Sequence, residues 1–198
     1  MIPVLSKKET LDLDKQTVLS NYLTELELIE NSGRSIAQYI IEKQTNPFNK
    51  KYFVIIGPGN NGKDGIICHY YLRYYGLDSQ LILMVENQFS NSLLKKYNIS
   101  NKTINFYSKD FKMDPKSYYI DGLFGVGLNR EICGDYLDII NKMQNCKNVI
   151  SIDIPSGILC DTGCDLGINI KAKYTLTMGY PKLGHFFNSG LDNSGDVH

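Results

Sequence analysis

Three segments of the sequence place polar side chains directly after an apolar, strand-like run. The first run, Tyr52–Ile56, leads into a glycine-rich segment, the second ends at Asp121, and the third ends at Asp153 with a serine three residues later. The carboxyl ends of parallel strands meet at one edge of a sheet, so we expect these side chains to converge. The set is Asn60, Asn61, Asp64, Asp121, Asp153 and Ser156. Amide, carboxylate and hydroxyl oxygens suit an alkali or alkaline-earth cation better than a transition metal.

The glycine-rich segment 57–65 reads GPGNNGKDG and holds four glycines in nine residues. Glycines let backbone N–H groups approach a ligand closely, and the start of a helix favours an anion such as phosphate. A tight strand-to-helix turn that needs glycines only for packing is the alternative. Two adjacent asparagines and an aspartate favour the ligand site, because packing alone does not require them.

The same segment also matches most of a P-loop, since Gly57, Gly62 and Lys63 have the G-x-x-x-x-G-K spacing. A P-loop needs Ser or Thr at the next position to hold magnesium, whereas this chain has Asp64, which would repel phosphates. A degenerate P-loop nucleotide-binding protein therefore stays a distant alternative.

Strand-like and helix-like segments alternate along the chain. Apolar spacing predicts helices over 22–43, with Asn21 as a possible cap, over 64–75, ended by Gly76, and over 90–97 and 134–145. Strands are predicted over 52–56, 80–84, 103–107, 117–120, 148–152 and 174–178. This alternation predicts an α/β fold with a doubly wound, mostly parallel sheet and helices on both faces.

Composition limits the class of protein further. The 198 residues include 21 basic and 21 acidic side chains, so one neutral domain over 1–198 is expected, with N-terminal helices in 1–50 and the core in 51–198. Zero net charge argues against a nucleic-acid partner or an anionic membrane surface. Neither a membrane-spanning segment nor a secretory leader is recognisable, which predicts a cytoplasmic protein, apart from organelle targeting by an extension outside this sequence. Five scattered cysteines predict free thiols.

Five ordered motifs make the sequence resemble the NAD(P)HX epimerase family, also called the YjeF N-terminal domain. The family's GPGNNGGDG is GPGNNGKDG at 57–65, and its D-A-L-F-G-T-G-L appears at 121–128. Its D-I-P-S-G followed by D-T-G appears at 153–157 and 161–163. A strand followed by P-K-x-G appears at 175–184, and L-M-E-N-A-G is similar to 28–33.

The resemblance implies a Rossmann-like three-layer αβα fold, a homodimer, and interconversion of the R and S epimers of hydrated NADH and NADPH. A separate NAD(P)H-hydrate dehydratase would repair only the S form. The family binds K+, and the motifs carry its ligands onto Asn61, Asp121 and Ser156. Substrate contacts carry over to Asn60, Asn61, Gly62, Lys63, Asp64, Gly125, Val126, Gly127, Leu128, Asn129, Arg130 and Asp153.

Epimerisation breaks and remakes the bond between C6 of the nicotinamide ring and its hydroxyl oxygen. We hypothesise that Asp153 protonates the leaving hydroxyl and deprotonates the returning water. Arg130 and backbone N–H groups would receive the pyrophosphate. Lys182 is a second candidate for a direct role, with a purely structural role as the alternative. His69 is expected to be a packing or surface residue, and no role is assigned to His185.

The chain departs from the family in two places. Lys63 replaces a glycine; it would be strained by about 1 kcal/mol if that position has a positive φ, or it would strengthen phosphate binding. Residues 195–198 resemble the start of a family strand that normally continues, so the last strand is expected to be truncated. A non-catalytic binding or scaffolding module with this domain remains the alternative function, although the Asn-Asn pair and Asp153 favour the enzyme.

Overall fold

The computed structural model describes residues 2–198, apart from the side chain of Phe89. Its centre is one seven-stranded sheet in which every neighbouring pair is parallel. The strands are β1 (Lys51–Ile56), β2 (Asp78–Leu83), β3 (Ile104–Phe106), β4 (Tyr118–Gly122), β5 (Val149–Ile152), β6 (Tyr174–Leu176) and β7 (Asp196–Val197). Their order is β3-β2-β1-β4-β5-β6-β7. The predicted doubly wound parallel sheet is confirmed.

Six α-helices accompany the sheet in the part of the chain that is described. They are α1 (Lys7–Leu19), α2 (Glu25–Lys43), α3 (Asn60–Tyr74), α4 (Gln88–Lys96), α5 (Gly134–Met143) and α6 (Asn188–Asn193). Three short 3₁₀ turns lie at Pro47–Asn49, Asn101–Thr103 and Leu183–His185. None of the helices in residues 2–198 combines the length and the apolar character that a membrane span requires.

The apolar run of β1 is explained by two separate cores, one on each face of the sheet. Val54 and Ile56 pack in the core formed with α2, α3 and α4. Ile55, between them, packs in the core formed with α5. Successive side chains of a strand point to opposite faces, so a strand covered on both sides is apolar at every position.

The N-terminal boundary of α2 differs from the prediction. The helix begins at Glu25, and its cap is Thr24, whose hydroxyl accepts a 3.2 Å bond from the Glu27 N–H while Glu27 accepts from the Thr24 N–H at 2.8 Å. Such a reciprocal capping box satisfies two N–H groups at once. Asn21, the predicted cap, lies outside the helix with φ of +55°.

The predicted start of α3 at residue 64 was also wrong, because the helix begins at Asn60. A Cβ on Gly62 would approach the carbonyl oxygen of Gly57 to 2.0 Å, so only glycine permits this close turn from β1 into α3. The five residues 60–64 therefore form the first turns of a helix. They lie where β1 and β4 are neighbours and the connections leave in opposite directions, which is where ligands bind in such sheets.

Candidate active site

Asn61 joins the ends of three strands at the carboxyl edge of the sheet. Its Nδ2 donates to the carbonyl oxygen of Ile152, at the end of β5, at 2.8 Å and to that of Phe124, after β4, at 2.9 Å. A Cβ on Gly125 would lie 2.3 Å from Asn61 Oδ1, so the glycine makes room for the amide. Asn61 is thereby held in one orientation from both sides.

Asp121 ends β4 as a fully buried carboxylate surrounded by neutral donors. It accepts bonds from the Ser151 hydroxyl at 2.8 Å, the Ser156 hydroxyl at 2.6 Å and the Ser156 N–H at 2.9 Å. The Leu123 N–H adds a contact of 3.2 Å. Burial raises the pKa of the Asp121 carboxyl, and these hydrogen bonds lower it in part. Asp121, Ser156 and Asn61 therefore meet at one place, as expected from their strand ends.

Asp153, directly after β5, forms an ion pair with Lys182. The Lys182 ammonium donates to Asp153 Oδ1, to the Thr177 hydroxyl at 2.8 Å and to the Met178 carbonyl at 2.7 Å. The Lys182 side chain is completely buried. All three ammonium protons thus have partners, which is what a buried lysine requires.

The backbone at Asp153 is held in an unusual conformation. Its φ is +67°, in the left-handed region that L-residues other than Asn and Asp seldom adopt. His185 Nε2 donates to the Asp153 carbonyl at 3.0 Å, while its Nδ1 accepts from the Lys182 N–H at 3.2 Å. Burial lowers the pKa of His185 to about 4, consistent with a neutral ring that has one donor and one acceptor. No role was predicted for His185 from the sequence, whereas in the structure its ring supports the backbone of Asp153.

Asp64 lies in the first turns of α3 and is 8% exposed. Within the described chain its carboxylate has no hydrogen-bond partner, and the pKa of Asp64 is raised well above its usual value by burial and by Asp153 and Asp14. Carboxylates whose pKa is perturbed by burial and by neighbouring charges concentrate at functional sites.

Only part of the segment 125–130 lies in this site. Val126 packs on a small core of Ile154, Ile158 and Cys160, and Gly125 contacts Asn61. Gly127, Asn129 and Arg130 are exposed, as is Asn60 on α3. These exposed residues lie at the rim, while Asn61, Asp121, Asp153 and Ser156 are buried below it.

The start of α3 answers two questions raised by the sequence: whether Lys63 is strained, and whether the segment forms a P-loop. Lys63 lies within the helix and is absent from the residues with positive φ, so the strain considered for it does not arise. Its ammonium lies 2.8 Å from Glu25 of α2. The extended loop of a P-loop does not form, because Asn60 and Asn61 are already helical.

His69 is a buried packing residue, and the cysteines form no disulfide in the described part of the chain. His69 is fully buried, with its ring nitrogens 2.8 Å from the Ser79 hydroxyl and 3.1 Å from that of Thr103. Burial lowers the pKa of His69 to about 4. The five cysteines are free thiols, as predicted, and three of them are buried.

Comparison with a solved structure supports the fold. The crystal structure of the yeast protein ynu0 (YNL200c) matches with a TM-score of 0.82 at 23% identity, covering 93% of this chain and 84% of the yeast chain. At this identity the likeness concerns the fold alone.

Two curated relatives extend the comparison to sequence. The bifunctional NAD(P)H-hydrate repair enzyme Nnr of Dictyoglomus turgidum is 36% identical over 178 residues, which are 86% of this chain and 34% of the relative. The NAD(P)H-hydrate epimerase of Oenococcus oeni is 29% identical over 197 residues, covering 98% of this chain and 93% of the relative. The chain thus spans about a third of the bifunctional enzyme and almost all of the shorter one.

The family described as YjeF-related protein N-terminus matches residues 25–184, from the start of α2 to the turn that carries Lys182. This range contains the ends of β1, β4 and β5 and all the buried polar residues that meet there. The chain belongs to the YjeF N-terminal family.

Proposed function

We propose that this chain is an NAD(P)H-hydrate epimerase, which interconverts the R and S forms of hydrated NADH or NADPH. The observation that carries the proposal is the buried pair of Asp153 and Lys182 beside the unpartnered carboxylate of Asp64. The printed names of the relatives support the same activity. The site offers both a proton-handling pair and negative charge within one crevice.

The reaction requires the C6–O bond of the hydrated ring to break and reform on the other face. The oxygen leaves with the bonding pair and takes a proton, and the lone pair of the ring nitrogen forms a double bond to C6. Water then adds to C6 and returns a proton. In our proposal Asp153 is the group that gives and receives this proton, with the Lys182 ammonium as its neighbour. The supports are the strand-end position of Asp153 and its fixed backbone.

Substrate contacts are proposed for the first turns of α3 and for the segment 125–130. Asn60 and Arg130 have exposed side chains, and we assign to them the contact with the pyrophosphate of the dinucleotide. An arginine guanidinium forms paired hydrogen bonds to phosphate oxygens. The N-terminus of α3 adds its partial positive charge at the same edge.

A potassium ion is proposed at Asn61, Asp121 and Ser156. The donors fit such an ion, because one buried carboxylate without a cationic partner is surrounded by hydroxyl and carbonyl oxygens. The Nδ2 of Asn61 donates to the carbonyls of Phe124 and Ile152. The side-chain amide would therefore have to flip for Oδ1 to bind the potassium ion at that position. A bound ion would balance the buried charge and hold the three strand ends together. Asn61 itself holds the backbone of Phe124 and Ile152 through its amide.

The proposed partners follow from the same activity. A homodimer is proposed, and a separate NAD(P)H-hydrate dehydratase would consume the S epimer. The bifunctional name of the longer relative supports a functional link with such an enzyme. A binding or scaffolding module without activity remains the second candidate.

The test uses the purified chain with an R/S mixture of hydrated NADH and a dehydratase specific for the S form. We expect the R epimer to be consumed well above its spontaneous rate, and faster with K+ than with Na+. Asp153→Asn, compared at an equal concentration of folded protein because it removes the counter-charge of Lys182, is the inactive variant, and asparagine tolerates the positive φ at this position. Consumption of R at the spontaneous rate by the wild-type protein would favour the scaffolding role.

A further inference from the structure

The residues just before α1 bind the turn 181–184, which carries Lys182. Leu5 pairs with Lys182 as in a parallel sheet. Its N–H donates to the Pro181 carbonyl at 2.8 Å, and its carbonyl accepts from the Leu183 N–H at 3.0 Å. The two bonds lie on either side of Lys182, one residue before it and one after it. Leu5 therefore restrains the backbone from which the Lys182 ammonium extends.

Asp161 anchors this N-terminal segment from a loop far along the chain. The Lys7 N–H, at the first position of α1, donates to Asp161 Oδ1 at 2.6 Å. The first N–H groups of a helix have no carbonyl partner within the helix itself. The Asp161 carboxylate therefore satisfies a donor that the helix leaves unpaired, and its negative charge lies at the positive end of the helix.

The remainder of α1 does little to hold the segment in place. Thr10 is the one buried residue of the helix. Four of its apolar residues are exposed, namely Leu11, Leu13, Val18 and Leu19. Burial of an apolar face is what usually stabilises a helix on a protein. The position of Leu5 therefore depends on the bond between Lys7 and Asp161.

The loop that contains Asp161 is itself bonded to the Lys182 turn. The Gly184 N–H donates to the Cys160 carbonyl at 2.5 Å. A Cβ on Gly184 would lie 2.8 Å from the same carbonyl oxygen, so the glycine allows this close approach. Three segments are thus joined in pairs, namely 5–7, 159–161 and 181–184. The Lys182 turn is held from two sides as a result.

The side chain of Lys7 brings the same N-terminal segment to the proposed substrate contacts. Its ammonium lies 3.4 Å from the carbonyl oxygen of Gly127, which belongs to the segment 125–130. The N-terminal segment therefore contacts both the Lys182 turn and the residues assigned to the substrate.

We propose that Asp161 is a positioning residue for the reaction assigned to the Asp153–Lys182 pair. Its hydrogen bond to the backbone of α1 fixes Leu5, and Leu5 fixes the turn from which the Lys182 ammonium reaches Asp153. This inference rests on the proposed function, in which that pair transfers the proton. A displacement of about 1 Å at a reacting group can lower a rate about a hundredfold, so a restraint on the Lys182 turn affects the reaction.

Kinetics of three variants test this role in the intact chain. Asp161→Ala removes the acceptor of the Lys7 N–H, whereas Asp161→Asn keeps an oxygen that can accept it. At equal concentrations of folded protein, we expect Asp161→Ala to lower kcat about tenfold and to change KM less than about twofold, because the pair acts in the chemical step. Asp161→Asn should recover kcat to within about threefold of wild type. Asp12→Ala, which removes an exposed carboxylate of α1, is the matched control and should behave as wild type.

Acylation of lysines gives a second readout that does not depend on activity. The Lys182 side chain is completely buried and its three protons have acceptors, so an acylating reagent should modify it slowly in the wild type. Asp161→Ala should raise the rate of Lys182 modification several-fold, measured by mass spectrometry, and Asp161→Asn should not. The exposed Lys171 reports the reactivity of the reagent. Alkylation of the fully buried Cys68 thiol reports any global unfolding.

Leu5→Pro tests the next link, and it does so even if Asp161→Ala fails to fold. The proline lacks the N–H that Leu5 donates to Pro181, whereas Leu5→Ala keeps both backbone bonds. We expect the proline variant to show the loss of kcat and the faster modification of Lys182. The alanine variant should lose far less.

Three results would overturn the role of Asp161: a wild-type kcat in Asp161→Ala, equal losses in Asp161→Ala and Asp161→Asn, or a lower folded fraction with kcat per folded molecule unchanged. If the wild type has no epimerase activity, the proposed function fails. Faster modification of Lys182 in Asp161→Ala but not in Asp161→Asn would then still support the positioning of the Lys182 turn, and unchanged modification would contradict it.

Discussion

The Lys182 ammonium is hydrogen-bonded to the Asp153 carboxylate in a pair almost entirely withdrawn from water, with side-chain exposures of 0% and 8%. The pair joins the end of β5 to a turn 29 residues further along the chain. Each buried charge is tolerated because its counter-charge is adjacent and because further hydrogen bonds satisfy both side chains. The pair is therefore a structural requirement of the fold, and it is also the group to which we assign proton transfer in the proposed reaction.

Removing one partner of this pair is expected to destabilise the protein strongly. Lys182→Met should cost about 3–5 kcal/mol in the free energy of unfolding, because the Asp153 carboxylate is left buried without its counter-charge. Urea denaturation measures this. Asp153→Asn combined with Lys182→Met should restore part of the loss, and Lys171→Met, at an exposed site, serves as the control. Equal losses in the single and double variants would contradict the pairing.

Gly125 should be far less tolerant of a side chain than Gly127, two residues away. In Gly125→Ala the new Cβ would press on the Asn61 amide, whereas in Gly127→Ala it would meet nothing within 4 Å. We expect Gly125→Ala to lower kcat/KM for epimerisation about tenfold to a hundredfold through misplacement of Asn61. Gly127→Ala should lower kcat/KM much less, because the added Cβ leaves Asn61 in place. Similar activities in the two variants would show that the orientation of Asn61 is unimportant.

Asp64→Asn is expected to stabilise the protein while reducing its activity. Burial raises the Asp64 pKa, so ionising this group costs free energy in the folded state at pH 7, and the asparagine removes that cost. The gain should shrink as the pH falls from the folded pKa towards 3.8, since the wild-type group is then protonated. Thermal denaturation at several pH values checks this, with Asp110→Asn, at an exposed position, as control.

The free energy of unfolding should fall at acidic pH, because His69 is buried as a neutral ring. Its folded pKa of about 4 lies below the ordinary 6.5, so the unfolded chain binds a proton first. The stability present above pH 6.5 is therefore lost as the pH falls towards 4, by at most about 1.4 kcal/mol per pH unit for one histidine. His69→Gln should flatten the pH dependence of the urea midpoint. Parallel profiles for His69→Gln and wild type would contradict this assignment.

Restoring the family's glycine at position 63 should not help the fold. Lys63 is helical and paired with Glu25, so Lys63→Gly removes an ion pair and adds backbone freedom to the unfolded chain. Lys63→Ala removes the same side chain without that freedom, and we expect it to be more stable than Lys63→Gly by about 0.5–1 kcal/mol. A more stable glycine variant would mean that Lys63 is strained. Chemical denaturation of the pair of variants gives the difference directly.

The sequence by itself determined the sheet and its functional edge. Continuous apolar runs predicted strands such as β1 that are buried on both faces. The three strand ends with glycines, carboxylates and Ser156 predicted which side chains meet at the carboxyl edge of the sheet. The residues at which helices begin were harder to predict from the sequence. Thr24 and Asn21 are both acceptable caps locally, and the start of α3 depends on how closely Gly62 approaches Gly57.

Tertiary structure alone decided how the charges are paired. His185 and Lys182 lie about 30 residues from Asp153 along the chain. The types and spacing of side chains in the sequence do not predict which distant charged groups will form pairs. The energy of a buried charge depends on the donors and neighbouring charges around it, so these relationships exist only once the chain has folded.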